Sequence, residues 1–259
     1  MFSLLISIYA TNDMDSKLYL NLIMKYSIIL LSLFVGVNMR RYKTIIFDID
    51  GTLIDTECRR LARKICDVYH LLDEDEVYNQ LFDFFSECDI RLQSIKVKRD
   101  YIYEIASDVI SFLYKEKICP IKFIDNMDKL NTLSPAKEGA IELLQYLKAK
   151  GYSMIVLTNW FKKPQIHRLN NLTMSEYFEH IYAIDESYLK PHEESISRIF
   201  NTYNRDDCLL IGDSLTSDIL CANNAGIDSI LLNNNGQTSP CNNQPTMEVV
   251  KLLDIKRTL

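Results

Sequence analysis

Thr44-Ile45-Ile46-Phe47-Asp48-Ile49-Asp50-Gly51-Thr52-Leu53 is the stretch on which the fold turns. Four consecutive β-prone apolar residues stop at an aspartate, and a glycine follows three residues later. A continuous apolar run of this kind suits a parallel strand buried on both faces, its C-terminal end open to a ligand. Asp48 and Asp50 are one residue apart, and in extended chain that spacing turns both carboxylates to the same side. Like charges so placed repel one another and lose solvation, and a divalent cation is the simplest compensation.

Outward from this strand the pattern repeats. Ser153-Met154-Ile155-Val156-Leu157 runs into Thr158, and Cys208-Leu209-Leu210-Ile211 runs into Gly212-Asp213. His180-Ile181-Tyr182-Ala183 and Ser229-Ile230-Leu231-Leu232 are weaker copies. Helical periodicity fills the spaces between them, at 136–150, 163–172, 193–203 and 217–225, with Pro135 opening the first and Gly151 closing it. Alternating strand and helix with short connections predicts an α/β fold, a doubly wound parallel sheet covered on both faces. The polar residues 233–244 read as a loop.

One segment breaks the alternation. No glycine occurs between Gly51 and Gly139, and a structureless loop of that length does not belong in a compact domain. Leu61, Ile65, Val68 and Leu72 keep helical spacing, as do Tyr101, Ile105, Val109, Phe112 and Leu113. The segment reads as an all-helical cap inserted beside the strand tip. The domain division is therefore 39–55 with 134–259 for the core, 56–133 for the cap, and 1–38 for a hydrophobic N-terminal extension. Within 18–37 Lys25 leaves an unbroken apolar stretch only at 26–37, short for a membrane span. An anchor, a signal segment and Met39 as initiator are the three readings. The basic cluster Arg40, Arg41 and Lys43 would hold the following domain on the cytoplasmic side in the first of them.

Composition narrows the functions. A formal net charge of −6 gives no basic field for a nucleic acid polymer, whereas a small anion remains open through a few local cations or a metal ion. Seven cysteines, an odd number spread singly, indicate neither a disulfide framework nor a zinc site, and none of the four histidines pairs at metal spacing. Asp213 and Asp218 follow another strand tip. If the two strands are neighbours, their carboxylates converge with Asp48 and Asp50 on one all-oxygen site, and hard ligands favour Mg²⁺.

Asp48-Ile49-Asp50-Gly51-Thr52-Leu53, Thr158-Asn159, Lys190-Pro191 and Gly212-Asp213-Ser214-Leu215-Thr216-Ser217-Asp218 resemble, in order, the four motifs of the haloacid dehalogenase-like hydrolase superfamily. The resemblance spans 42–235. It implies a Rossmann-like core, with Asp48 as nucleophile forming an aspartyl-phosphate and Asp50 as general acid and base. It further implies Mg²⁺ held by Asp48, the Asp50 carbonyl, Asp213 and Asp218, and a phosphoryl group bound by Thr158, the Asn159 backbone and Lys190. An acid at Asp50 suits an oxygen leaving group and disfavours dehalogenation, which needs no proton. The last motif most resembles nucleoside 5′-monophosphate and N-acylneuraminate 9-phosphate phosphatases. The expected activity is therefore hydrolysis of a small phosphorylated metabolite, a nucleotide or sugar phosphate, by a cytoplasmic monomer or homodimer. A sugar-phosphate mutase and a non-catalytic binding module are the alternatives, and phosphonate hydrolysis through Lys64 has no feature in its favour. Arg59, Arg63, Tyr69, Phe84 and Phe85 are the cap residues expected to choose the leaving group.

Overall fold

The computed structural model describes residues 42–259 except 57, 93–94, 112–118 and 235, and at 58, 69, 89 and 109–111 the backbone alone. The expectations for the extension 1–38, the Tyr69 side chain, Val109, Phe112 and Leu113 lie outside the described residues.

Six parallel strands form one sheet: β1 Thr44–Phe47, β2 Ser153–Leu157, β3 His180–Tyr182, β4 Cys208–Gly212, β5 Asp228–Leu232 and β6 Met247–Val249, in the order β3-β2-β1-β4-β5-β6. This is the order of a doubly wound nucleotide-binding sheet, whose ligand crevice opens beyond the carboxyl ends of the strands at the point where the order reverses. β1 lies between β2 and β4, with Phe47 opposite Val156 and Ile211, so Asp48 leaves the sheet at that point. Side chains alternate between faces. Ile45 and Phe47 pack with Leu143, Leu144 and Leu147, while Ile46 packs with Ile196, Ile199 and Cys221 on the other side. Each fully buried aliphatic contributes about 1.5–3 kcal/mol, which explains why the strands carry unbroken apolar runs.

Helices α1 Cys58–Tyr69, α2 Glu74–Leu92, α3 Arg99–Ser111 and α4 Pro120–Asn131 lie between β1 and β2 in the chain and share a hydrophobic cluster that also takes in Phe161, Ile184 and Leu189. α2 begins where the Asp73 carboxylate accepts from the Glu76 amide at 2.9 Å, with Glu74, Asp75 and Glu76 in the first turn and Arg91 in the last. That distribution complements the helix dipole. Beyond the cap segment, α5 is Ala140–Ala149, α6 Lys162–Asn171, α7 Glu193–Ser197 and α8 Leu220–Ala225. Among the described residues no helix is long and apolar enough to cross a membrane.

Several local expectations change. The helix expected from 136 starts at Ala140 after Gly139, because residues 135–137 are used otherwise: the Asp55 amide donates to the Pro135 carbonyl, the Lys137 amide donates to Leu53, and Ile54 bridges Ala136. This short return ties the two crossings between core and inserted helices together. The helix expected at 217–225 opens instead with a wide turn, Leu215–Ile219, before α8. β6 has no apolar run to announce it, and only Val249 of its three residues is buried. Val68 is half-exposed and Leu72 is fully exposed beyond the end of α1, so the buried stripe of that helix is Leu61, Ala62, Ile65 and Cys66. Ile65→Ala is accordingly expected to cost about 2–5 kcal/mol in urea unfolding. Leu72→Ser should stay within about 0.5 kcal/mol, and equal costs would contradict this packing.

Candidate active site

Asp48 follows β1, Asp213 and Asp218 follow β4, and Lys190 comes from the loop between β3 and α7. The sheet order makes β1 and β4 neighbours, and this brings the groups together. One carboxylate oxygen each from Asp48, Asp213 and Asp218 lies within 4.8 Å of the others. The Lys190 ammonium donates to Asp48 Oδ1 and to Asp218 Oδ1, each at 2.6 Å, and its side chain is only 2% exposed. Asn159 holds that lysine in place: its Oδ1 accepts from the Lys190 amide at 2.7 Å and its Nδ2 donates to the Lys190 carbonyl at 3.1 Å. Asp218 also accepts from the Ser214 amide at 3.0 Å. The following turn is capped by the Ser214 hydroxyl, which leaves Asp218 for the site.

Two glycines make room for the carboxylates. Gly51 has φ 85°, and a Cβ there would fall 2.2 Å from Asp213 Oδ2; a Cβ on Gly212 would fall 2.3 Å from Asp218. Any side chain would collide, and at Gly51 it would also meet an unfavourable backbone conformation.

The electrostatics follow from burial. Asp48 is pushed well above the ordinary carboxylate range, first by burial and then by Asp218, Asp213 and Asp50, against the pull of Lys190. Burial and Asp218 push Asp213 up to about 6. Lys190 is raised, because its two carboxylate partners outweigh the burial that opposes its charge. With all groups ionised, three carboxylates face the Lys190 ammonium, with the Lys137 ammonium acting on Asp213, and negative charge is left in excess for a cation to offset. Donors that are all oxygen, beside glycines that leave space, fit Mg²⁺.

Asp50 is held apart from this cluster. Its Oδ1 accepts from Thr56 Oγ1 at 2.7 Å and from Arg168 Nη1 at 2.5 Å, and its Oδ2 accepts from Gln165 Nε2 at 2.7 Å. Burial raises its pKa, but the Arg168 guanidinium and these hydrogen bonds outweigh burial and leave it below the usual carboxylate value. Gln165 and Arg168 are buried on α6, three residues apart on one helical face, and Arg168 also donates to Gln165 Oε1 at 2.9 Å. The sequence reading passed over both, together with Thr56 and with Lys137, whose ammonium donates to the Gly51 carbonyl. A buried cation is not visible in a polar helix such as 162–171. The only available signal was the proximity of Gln165 and Arg168 to the Thr158-Asn159 motif.

A cavity of about 480 Å³ opens over these groups, lined by Asp48, Asp50, Asn159, Lys190, Asp213 and Asp218 on the core side. Thr158 is not among its lining residues; it is buried behind them, its hydroxyl accepting from Gln165 at 2.9 Å. Arg59 and Arg63 lie away from the cavity on the outer surface, paired with Asp75 and Glu74. Phe84 is in the core of the helical segment, and of the named cap residues whose side chains are described only Phe85 lines the cavity. Buried Cys66, Cys88, Cys208 and Cys221 and exposed Cys119 and Cys241 are free thiols.

A parallel sheet with a cation-accepting acidic centre at its switch point, facing an inserted set of helices, defines an α/β enzyme of the hydrolase type. The haloacid dehalogenase-like hydrolase family model matches residues 42–226, and the chain belongs to that family. It is 27% identical over 202 residues to a glyceraldehyde 3-phosphate phosphatase of Pyrococcus furiosus, covering 74% of this chain and 81% of the relative. It is 27% identical over 226 residues to the pyrimidine 5′-nucleotidase PynA of Streptococcus pneumoniae, covering 83% and 93%. The magnesium-bound structure of the HAD-hydrolase YfnB of Bacillus subtilis superposes with a TM-score of 0.73 at 22% identity, over 84% of this chain and 98% of that one. An L-2-haloacid dehalogenase of Xanthobacter autotrophicus shares the fold at 16% identity, with a TM-score of 0.70 over 83% and 97%.

Removing the cation from the acidic centre should expose its repulsion. Lys190→Met is expected to lose about 3–5 kcal/mol in urea unfolding at pH 7.5. The loss should shrink at pH 5: carboxylates whose folded pKa is raised bind more protons folded than unfolded, so their destabilisation grows as pH rises from about 4 through the Asp213 value of about 6. Lys190→Met combined with Asp218→Asn should recover much of the loss. A pH-independent cost would contradict the electrostatic origin.

Proposed function

We propose that this chain hydrolyses small phosphomonoesters with Asp48 as nucleophile, through an aspartyl-phosphate, and that Mg²⁺ assists. The observation that carries this reading is the Asp48 carboxylate at the sheet's switch point, with the Lys190 ammonium at 2.6 Å and two further carboxylates beside it. The relatives that are phosphatases and nucleotidases support the same reaction.

Asp48 attacks phosphorus and expels the ester oxygen, which divides one difficult displacement into two easier ones. Mg²⁺, when bound by Asp48, Asp213, Asp218 and the Asp50 carbonyl, supplies the charge that lets an anionic phosphate meet an anionic nucleophile. Lys190 adds positive charge to the equatorial phosphoryl oxygens, and Asn159 fixes where that charge stands. Thr158, whose hydroxyl accepts from Gln165 and keeps its own proton to donate, backs the phosphate end of the cavity. Asp50 serves as the acid for the leaving oxygen and then as the base for the attacking water. In the arrangement described, Arg168 and Gln165 keep Asp50 ionised, so it is ready for the base step, and taking up a proton for the acid step requires release from Arg168. Helices α1–α4 act as the cap, and the cavity wall they supply controls water and the leaving group.

The test is phosphate release from p-nitrophenyl phosphate, nucleoside monophosphates and sugar phosphates, with Mg²⁺ or with EDTA. The expected result is turnover lost on chelation and reduced about a thousandfold or more by Asp48→Asn in a folded protein. Turnover that survives both treatments would overturn the proposal.

A further inference from the structure

We infer that Asn131 reads the leaving group, and that this group is a flat heterocycle with neighbouring hydrogen-bond donor and acceptor, as in a nucleobase. The inference rests on the phosphomonoester reading and concerns the opposite wall of the same cavity.

Among the described residues, every charged one lining the cavity belongs to the core: Asp48, Asp50, Arg168, Lys190, Asp213 and Asp218. The described residues that α2, α3 and α4 supply to the wall are uncharged: Phe85, Cys88, Leu92, Ile102, Met127 and, as the one polar amide among them, Asn131. An anionic leaving group such as a second phosphate would find no cation among these residues. A polyol would have to bury several hydroxyls against carbon, at about 1–3 kcal/mol for each one left without a partner.

Asn131 is the last residue of α4 and is 9% exposed. Its side-chain amide has no hydrogen-bond partner among the described residues. The other deeply buried asparagines differ: Asn233 Nδ2 donates to the Gln237 carbonyl at 2.7 Å, and Asn243 Nδ2 donates to the Leu215 carbonyl at 2.6 Å. The amide is not sealed from solvent, so its two donors and its acceptor are available to a ligand in the cavity. Among the described residues two aromatic rings line the cavity and stand close to each other: Phe85 and Trp160 have centroids 6.4 Å apart at 70°. Trp160 is oriented by its Nε1 donating at 2.9 Å to Asp128, three residues before Asn131 on α4. Aromatic rings and an amide without a protein partner, lining one cavity, suit a planar ring with a polar edge. A cavity of about 480 Å³ is within the range usual for small-ligand sites.

Steady-state kinetics of the full chain test this with uridine and cytidine 5′-monophosphates, with ribose 5-phosphate as a sugar ester lacking the base, and with p-nitrophenyl phosphate as a measure of basal turnover. The wild type is expected to favour the nucleotides over ribose 5-phosphate in kcat/KM. Asn131→Leu should lower kcat/KM for the nucleotides about tenfold, mainly through KM, and leave ribose 5-phosphate within twofold. Asn131→Asp, of equal volume but without the amide donors, should show the same split and guards against a leucine variant that folds poorly. A parallel loss on both kinds of substrate, no loss on either, or a wild type that prefers ribose 5-phosphate would overturn the inference and leave the phosphatase reading intact. Release from none of the esters, the aryl ester included, would instead overturn the phosphatase reading and this one with it.

Discussion

The ammonium of Lys190, shared at 2.6 Å between Asp48 and Asp218, is the interaction on which the site depends. Three carboxylates cannot be buried together without opposite charge, and the fold supplies Lys190, itself almost wholly removed from water, with Lys137 acting on Asp213. These cations leave an excess of negative charge, and the raised pKa values of Asp48 and Asp213 express it. A site strained in this way is suited to taking up a divalent cation and then a phosphate, since each step relieves the charge left by the one before.

Much of the surrounding chain serves to keep those groups in place. The sheet sets β1 against β4, so aspartates far apart in sequence leave the same edge. Gly51 and Gly212 omit the side chains that would fill the carboxylates' space, and Asn159 grips the backbone of Lys190 at both its amide and its carbonyl. A second charged group, Asp50 with Arg168, Gln165 and Thr56, stands beside the first without merging with it. Two neighbouring carboxylates thereby acquire opposite shifts, Asp48 upward among buried carboxylates and Asp50 downward beside the Arg168 guanidinium and its hydrogen-bond donors. Over both lies a wall whose described residues are uncharged, so the cavity has a polar end and an apolar one.

The parallel sheet was legible because its strands are buried on both faces and must therefore be continuously apolar, as Thr44–Phe47 and Cys208–Gly212 are. The residues at the strand tips were legible because aspartates directly after such strands have few structural reasons to be there. β6 was not, since Met247–Val249 buries one side chain and carries no periodicity. Leu72 satisfied a helical spacing and yet lies fully exposed, because spacing cannot tell where a helix stops. Arg168 and Gln165 escaped notice for a different reason: their burial comes from packing α6 against the β1 tip, a tertiary event that leaves no mark in a polar stretch of sequence. Arg59 and Arg63 were candidates by charge alone, and the structure pairs them with acids on the outer surface.

The most direct measurement of the central claim is chemical trapping during turnover. Borohydride reduces an acyl phosphate to the alcohol, which would convert residue 48 to homoserine in the peptide that spans β1. Quenching the enzyme with borohydride in the presence of substrate and Mg²⁺, followed by peptide mass spectrometry, is expected to reveal homoserine at position 48, and none when substrate is omitted. Steady turnover with Asp48 recovered unmodified, or with the reduced residue at another carboxylate, would contradict the account.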